Sequence, residues 1–137
     1  MVAAVVDIEV RSRVPGRSGD DLPTVLVRLA DEGTTVRELI RRTVEEQIRE
    51  SRADTARSRR ILDRQYGSDD ETPNGAIRKP PADPDATAEA ARAHRAFARG
   101  TFVVFVGGRQ VADLDEQVTL RRGEPVVFLR LVALAGG

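Results

Sequence analysis

The sequence predicts an α+β fold in which a mixed β-sheet carries one packed helix. Strand-forming segments rich in β-branched residues lie near both ends of the chain. An amphipathic helical segment follows the first two of them. Short apolar segments separated by glycine-containing turns then fill residues 101–137. The length of 137 residues suits a single domain, which we expect to span residues 1–137.

The N-terminal part predicts an antiparallel hairpin with a long loop. Residues 2–10 are rich in valine and form the first expected strand. Residues 11–22 contain proline, glycine and aspartate and are expected to form the loop. Residues 24–30 form the second expected strand, with its apolar side chains on one face: Val25, Val27 and Leu29.

The next segment predicts a helix that packs one face on the sheet. Thr35 as N-cap and Glu38 three residues later fit a capping box. An apolar stripe at helical spacing follows, consisting of Val36, Leu39, Ile40, Val44 and Ile48. We expect the helix to run to about Ser51.

Residues 52–99 differ from the rest and are interpreted as an insert within the domain. Residues 52–66 are expected to form a polar helical extension that carries Ile61, Leu62 and Tyr66. Residues 67–85 hold four prolines among charged and small residues, which predicts a mobile loop. Residues 85–99 are rich in alanine and predict a helix, capped by Asp85 or Thr87, that ends at Gly100.

The last part predicts several short strands. Residues 101–106 form an expected strand, Gly107-Gly108 is a two-residue hairpin signal, and residues 109–112 return. A short apolar stretch with Val118 and Leu120 lies between turns. Residues 125–131 form the expected final strand.

These segments resemble the ubiquitin-like β-grasp superfamily. The run from Phe105 to Asp113 is similar to a hairpin of ubiquitin, and Thr35-Val36-Arg37-Glu38-Leu39 resembles a helix start of bacterial sulfur carriers. Val111 to Asp115 and Gly123 to Phe128 resemble the small subunit of molybdopterin synthase and its thiamine-pathway relative. The resemblance covers residues 2–50 and 101–137. It implies a β-grasp fold.

The chain departs from these proteins in three places. The insert of residues 52–99 has no counterpart in the small carriers or in ubiquitin. Arginine replaces the lysine of the ubiquitin hairpin, which argues against chain formation there. The Pro-Pro that commonly precedes the tail of the carriers is absent, and residues 130–135 stand in its place.

The terminal Gly136-Gly137 is the candidate functional group. In the family, ATP converts such a carboxylate to an acyl-adenylate, and sulfur or an amine then attacks the carbonyl. Glycine has no Cβ and accepts unusual backbone conformations, so a diglycine end can thread a narrow channel of an activating enzyme. We therefore expect a flexible tail at residues 132–137. The resemblance implies an adenylating partner enzyme, followed by an acceptor protein or a sulfur-transfer enzyme. It does not decide between sulfur delivery and conjugation.

The final strand carries a second candidate site. Residues 126–129 are apolar on both faces, and one face is expected to fill the core. The other face, with Val127, Leu129 and Leu131, is expected to bind a partner. The alternative is that the helix around residues 88–97 covers this face within the chain.

The net charge and the isolated polar residues predict a protein that is not an enzyme and that binds neither nucleic acid nor membrane. Twenty-two basic and twenty-two acidic residues cancel, which gives no long-range attraction for nucleic acid or membrane. The chain has no cysteine for a thiolate metal site and no apolar run of about 20 residues, so we expect a cytoplasmic protein without a bound metal. The resemblance assigns ATP to the activating enzyme, so we expect no cofactor in this chain. His94 is expected at the surface. The acidic groups at residues 20–21, 69–71 and 113–115 are interpreted as solvated turns.

Two alternatives to a carrier remain open. The protein could be a β-grasp interaction module whose tail is incidental, or an oligomeric scaffold that associates through the helices of residues 52–99. The arginine groups at residues 57–64 and 92–99 are interpreted as solvated helix faces, with an acidic partner as the alternative.

Overall fold

The computed structural model describes residues 6–14, 23–29, 33–67 and 84–131. These residues form an α+β fold with a mixed five-stranded sheet, as the sequence predicts. The strands are β1 (Val6–Arg13), β2 (Val25–Leu29), β3 (Gly33–Thr35), β4 (Phe102–Val106), β5 (Arg109–Gln110), β6 (Gln117–Thr119) and β7 (Val126–Arg130). The helices are α1 (Val36–Glu50), α2 (Thr55–Tyr66) and α3 (Ala86–Ala98).

The five-stranded sheet has the order β2-β1-β7-β4-β5. β1 and β7 pair in parallel, with Val10 beside Val126. The other neighbours are antiparallel, and β1 with β2 forms the expected hairpin. The first and last strands of the described chain therefore lie side by side in the middle of the sheet.

β1 is longer at its C-terminal end than the sequence predicts. Residues 11–13 were expected in the loop, but they continue the strand with alternating exposure, and Ser12 is buried beside Phe128. The neighbouring β7 explains the difference, because it supplies backbone partners that the local sequence does not reveal. Residues 2–5 and most of the expected loop lie outside the described residues.

α1 begins and ends as predicted. The Thr35 hydroxyl accepts a hydrogen bond from the Glu38 backbone N–H at 3.2 Å. The Glu38 carboxylate pairs with Arg41 rather than with the N-cap backbone, so one half of the expected capping box is present. Four residues of the apolar stripe are buried, and Ile48 is partly buried against the same core.

The first part of the insert is a separate helix and not an extension of α1. The chain leaves α1 at Ser51, and Asp54 caps α2 by accepting a hydrogen bond from the Arg57 backbone N–H. Ser51 and Ser58 hold this corner, since the Ser58 hydroxyl donates to the Ser51 carbonyl at 3.1 Å. The corner turns Leu62 and Tyr66 into the core, where both are almost fully buried.

α3 begins after Asp85, whose carboxylate accepts a hydrogen bond from the Thr87 backbone N–H. It packs along α1, while α2 contacts β7. The Phe102 ring contacts Tyr66 of α2 and Phe97 of α3, with ring centroids 5.2 Å and 5.8 Å apart. All three helices therefore cover the same face of the sheet, and α2 and α3 complete a core that α1 alone leaves open.

The hairpin after α3 has the two-glycine turn that the sequence predicts. Gly107 and Gly108 adopt positive φ values of 58° and 84° between β4 and β5. Such a pair fits a two-residue hairpin, in which both central residues need positive φ. A feature that the sequence did not predict is a small second sheet, in which β3 pairs with β6.

Candidate functional site

The predicted diglycine, Gly136 and Gly137, lies outside the described residues. The last described residue is Leu131, whose backbone N–H donates to the Thr101 carbonyl at 2.9 Å. This bond fixes the position from which the chain continues, at the carboxyl end of β7 and beside the start of β4. We call this position, formed by Arg130 and Leu131, the tail root.

The three residues predicted to bind a partner lie on or next to the sheet face that carries no helix. Val127 and Leu129 are half-buried, and Leu131 is 46% exposed. Val126 and Phe128, which alternate with them, point into the core. We call the sheet surface that carries Val127 and Leu129 the open face.

Two residues that the sequence did not assign to this site complete an apolar patch there. Val103 pairs with Leu129 across the strands, and Phe105 pairs with Val127. Both are half-buried, in alternation with buried core residues of β4. All five residues of β4 are apolar, so neither its buried face nor its pairing with β7 is visible in the sequence, and the sequence alone could not join the two pairs.

Charged residues of β1 border this patch. Arg11 lies beside Val127 and Arg13 lies beside Leu129. Glu9 pairs with Leu26 on β2, and this leucine is 60% exposed. Arg11 also lies 3.8 Å from the Glu9 carboxylate, so the open face has an apolar centre with a charged border of both signs. This is typical of a surface that excludes water at its middle and is polar at its rim.

The alternative that the helix of residues 88–97 covers this face is wrong. Phe97 packs on Phe102, and Phe102 lies on the core face with Val104 and Phe128. α3 packs along α1 on this side of the sheet, with Ala90, Ala93 and Ala96 buried. No described helix lies over Val127 or Leu129.

The tail root is tied to the insert through Arg130. The Arg130 guanidinium donates from Nη1 to the carbonyl oxygens of Asp63 at 2.8 Å and Arg64 at 2.6 Å. These carbonyls belong to the last turn of α2, where a helix lacks backbone partners and where its dipole favours a cation. This contact joins α2 to the end of β7, and no sequence pattern indicates it.

The polar residues noted in the sequence have structural partners in the described part of the chain. Asp115 pairs with Arg37 at 3.2 Å, and the Asp113 carboxylate accepts from the Asp115 backbone. Hydrogen bonds from the Ala112 backbone and from Arg109 lower the pKa of Glu116. No group of three potential metal ligands occurs among the described residues. The acidic groups at residues 20–21 and 69–71 lie outside them.

His94, which was expected at the surface, is only partly exposed. Its Nε2 atom lies 2.9 Å from the carbonyl oxygen of Arg37, at the start of α1. The side chain therefore links α3 to α1.

Comparison of the chain with protein-family models, with curated proteins and with solved structures gives no match. Among the described residues, no helix combines the length and the apolar character that a membrane span requires.

Proposed function

We propose that this protein is a ubiquitin-like β-grasp carrier or modifier whose Gly136-Gly137 carboxylate is activated by an adenylating partner enzyme. The observation that carries the proposal is the place of β7. It is the last described strand, it lies in the centre of the sheet parallel to β1, and the tail continues from its carboxyl end. α1 packs over β2, the strand at one edge of this sheet, and a helix packed on the sheet in this way agrees with a β-grasp arrangement.

This arrangement suits a carrier because it separates a rigid body from a reactive end. A carboxylate oxygen attacks the α-phosphorus of ATP in the partner's site, and pyrophosphate leaves. A nucleophile then attacks the carbonyl carbon, and AMP leaves. An amine gives an amide, whereas a sulfur donor leads to a thiocarboxylate. ATP belongs to the partner in this scheme, and the carrier supplies the end that is activated.

Intact-mass analysis tests the proposal directly. The protein is incubated with ATP and the ubiquitin-activating-type enzyme encoded in the same genome. We expect the mass increase of an adenylate or of a product derived from it. A variant that lacks Gly137 should remain unmodified while its melting temperature stays the same. An unmodified wild-type protein would overturn the proposal.

A second candidate function is a protein–protein interaction module that works through the open face. The half-buried Val127 and Leu129, with the exposed Leu131 next to them, favour it. Burying three such side chains on a partner contributes several kcal/mol, about 25 cal/mol per Å².

Two substitutions separate this candidate from the first. Leu129→Asp should break a complex that forms through the patch, and deletion of Gly137 should leave that complex intact. Ala91→Asp is the control, because it introduces the same charge at an exposed apolar residue of α3, on the other side of the sheet. If both aspartate variants still bind, the open face is not the interface.

A further inference from the structure

α2 carries three exposed arginines along one side. Arg57, Arg60 and Arg64 follow one another at spacings of three and four residues, which places them on one helical face. We call them the arginine stripe. α2 contains four arginines and one aspartate, a net charge of +3.

The structure separates this stripe from the other arginines of the insert. Arg92 is 8% exposed and pairs with Asp63 at 2.8 Å, and Arg59 pairs with Glu89. The aspartate of α2 is thus directed to α3 and does not pair with Arg57 or Arg60.

Arg57 and Arg60 form no ion pair with any described residue. On α1, by comparison, Arg41 and Arg42 both pair with Glu38. The charges of Arg57 and Arg60 are therefore available to a partner.

The stripe begins at the tail root. The bonds from Arg130 to the carbonyls of Asp63 and Arg64 hold the carboxyl end of α2 against the end of β7. Arg60 and Arg57 follow about 6 Å and about 10 Å farther along the helix axis. Six residues follow Leu131 and span at most about 20 Å, so a protein that receives the tail acts within that distance of the same end of β7.

We propose that the arginine stripe binds an acidic surface of the adenylating partner and so places that partner at the tail root. The inference rests on the proposed function and names where this partner is recognised. Arginine suits the role because its planar guanidinium binds carboxylates through two parallel hydrogen bonds. The zero net charge of the whole chain favours a local protein contact over nucleic acid, which needs a broader positive field.

The test incubates the full-length chain with ATP and the adenylating enzyme. The rate of pyrophosphate release measures the adenylation. The double variant Arg57→Glu/Arg60→Glu should raise the KM for the protein about tenfold and leave kcat within about twofold, since exposed charges act mainly on association. Raising NaCl from about 0.05 M to about 0.5 M should remove most of this difference. Arg57→Gln/Arg60→Gln should give an intermediate KM.

The control is Arg121→Glu/Arg122→Glu, which changes the net charge equally. These exposed arginines precede β7, at the strand end opposite the tail root. Equal KM values for the stripe variant and the wild type would overturn the inference while the proposed function stands. An equal rise in KM for the control would also overturn it. If the wild type binds RNA, and the stripe variant loses this binding while its KM is unchanged, the stripe binds RNA and the inference is overturned. If the wild type is not adenylated at all, the proposed function fails and this inference fails with it.

Discussion

Tyr66 is the single tyrosine of the chain, and its hydroxyl lies inside the helical layer. It donates to Oε1 of Gln47 at 2.7 Å. Burial raises the pKa of Tyr66 far above its usual value, because the phenolate would lose its hydration. The same side chain contacts Phe102, so one residue joins the insert to both α1 and the sheet.

This raised pKa predicts a loss of stability at high pH. Above about pH 10 the unfolded chain releases the phenol proton and the folded chain retains it, so the unfolded state binds fewer protons. The free energy of unfolding should therefore fall by about 1.4 kcal/mol per pH unit from this group. Absorbance at 295 nm and far-ultraviolet circular dichroism, recorded together, measure ionisation and folding.

The matched variant is Tyr66→Phe, which keeps the ring and removes the titrating group. It should lose this pH dependence and cost about 1–3 kcal/mol at neutral pH, since the Gln47 oxygen is left without its donor. Phenolate that forms near pH 10 in a protein with native circular dichroism would contradict the prediction.

Gly108 provides a second prediction at this scale. Its φ of 84° is a conformation that side chains disfavour, although a Cβ there would meet no atom within 4 Å. Gly108→Ala should therefore destabilise the protein by about 1–2 kcal/mol through the backbone alone. Gly33→Ala is the control, because that site is equally open and lacks a positive φ. Equal urea midpoints for the two variants would exclude the backbone explanation.

At the scale of elements, α2 contributes to the core and is more than a polar addition. Leu62 is fully buried in the same cluster as Phe102 and Phe128. Leu62→Ala should lower the free energy of unfolding by about 2–5 kcal/mol, because it leaves a cavity in that cluster. Arg60→Ala, two residues earlier on the exposed side, should change it by less than about 0.5 kcal/mol. Chemical denaturation of both variants measures the difference, and a small effect of Leu62→Ala would mean that α2 is loosely docked.

Local signals made several elements predictable from the sequence. The Thr35 cap, the alternation of Val25, Val27 and Leu29, and the positive φ values of Gly107 and Gly108 each depend on neighbouring residues. The α+β class follows from their order along the chain.

What the sequence missed depends on distant contacts. The pairing of Thr34 with Val118 creates β3, and the Ser51–Ser58 corner separates α2 from α1. The candidate site shows the same division. Val127 and Leu129 were predicted from one strand, whereas Val103 and Phe105 join them only through the register of β4 and β7. Gly136 and Gly137 stay a prediction.

For the whole molecule, the insert and the sheet share one core. Removal of residues 52–99, with α1 joined to β4 by a short glycine linker, should leave Phe102 and Phe128 without the side chains of α2 and α3 that contact them. We expect loss of cooperative urea unfolding and increased binding of a hydrophobic dye. Cooperative unfolding of the shortened chain would show that α1 and the sheet suffice. The intact chain, purified in parallel, is the reference.

The parallel pair of β1 and β7 also has a consequence for synthesis on the ribosome. The β1–β2 hairpin and the β4–β5 hairpin can each form early, but they share no backbone ladder. Of the described strands, only β7 bonds to both halves, through Val10–Val126 on one side and Val106–Val126 on the other. The nascent chain must therefore keep its two half-sheets apart, with their apolar faces accessible to chaperones, until β7 has left the exit tunnel.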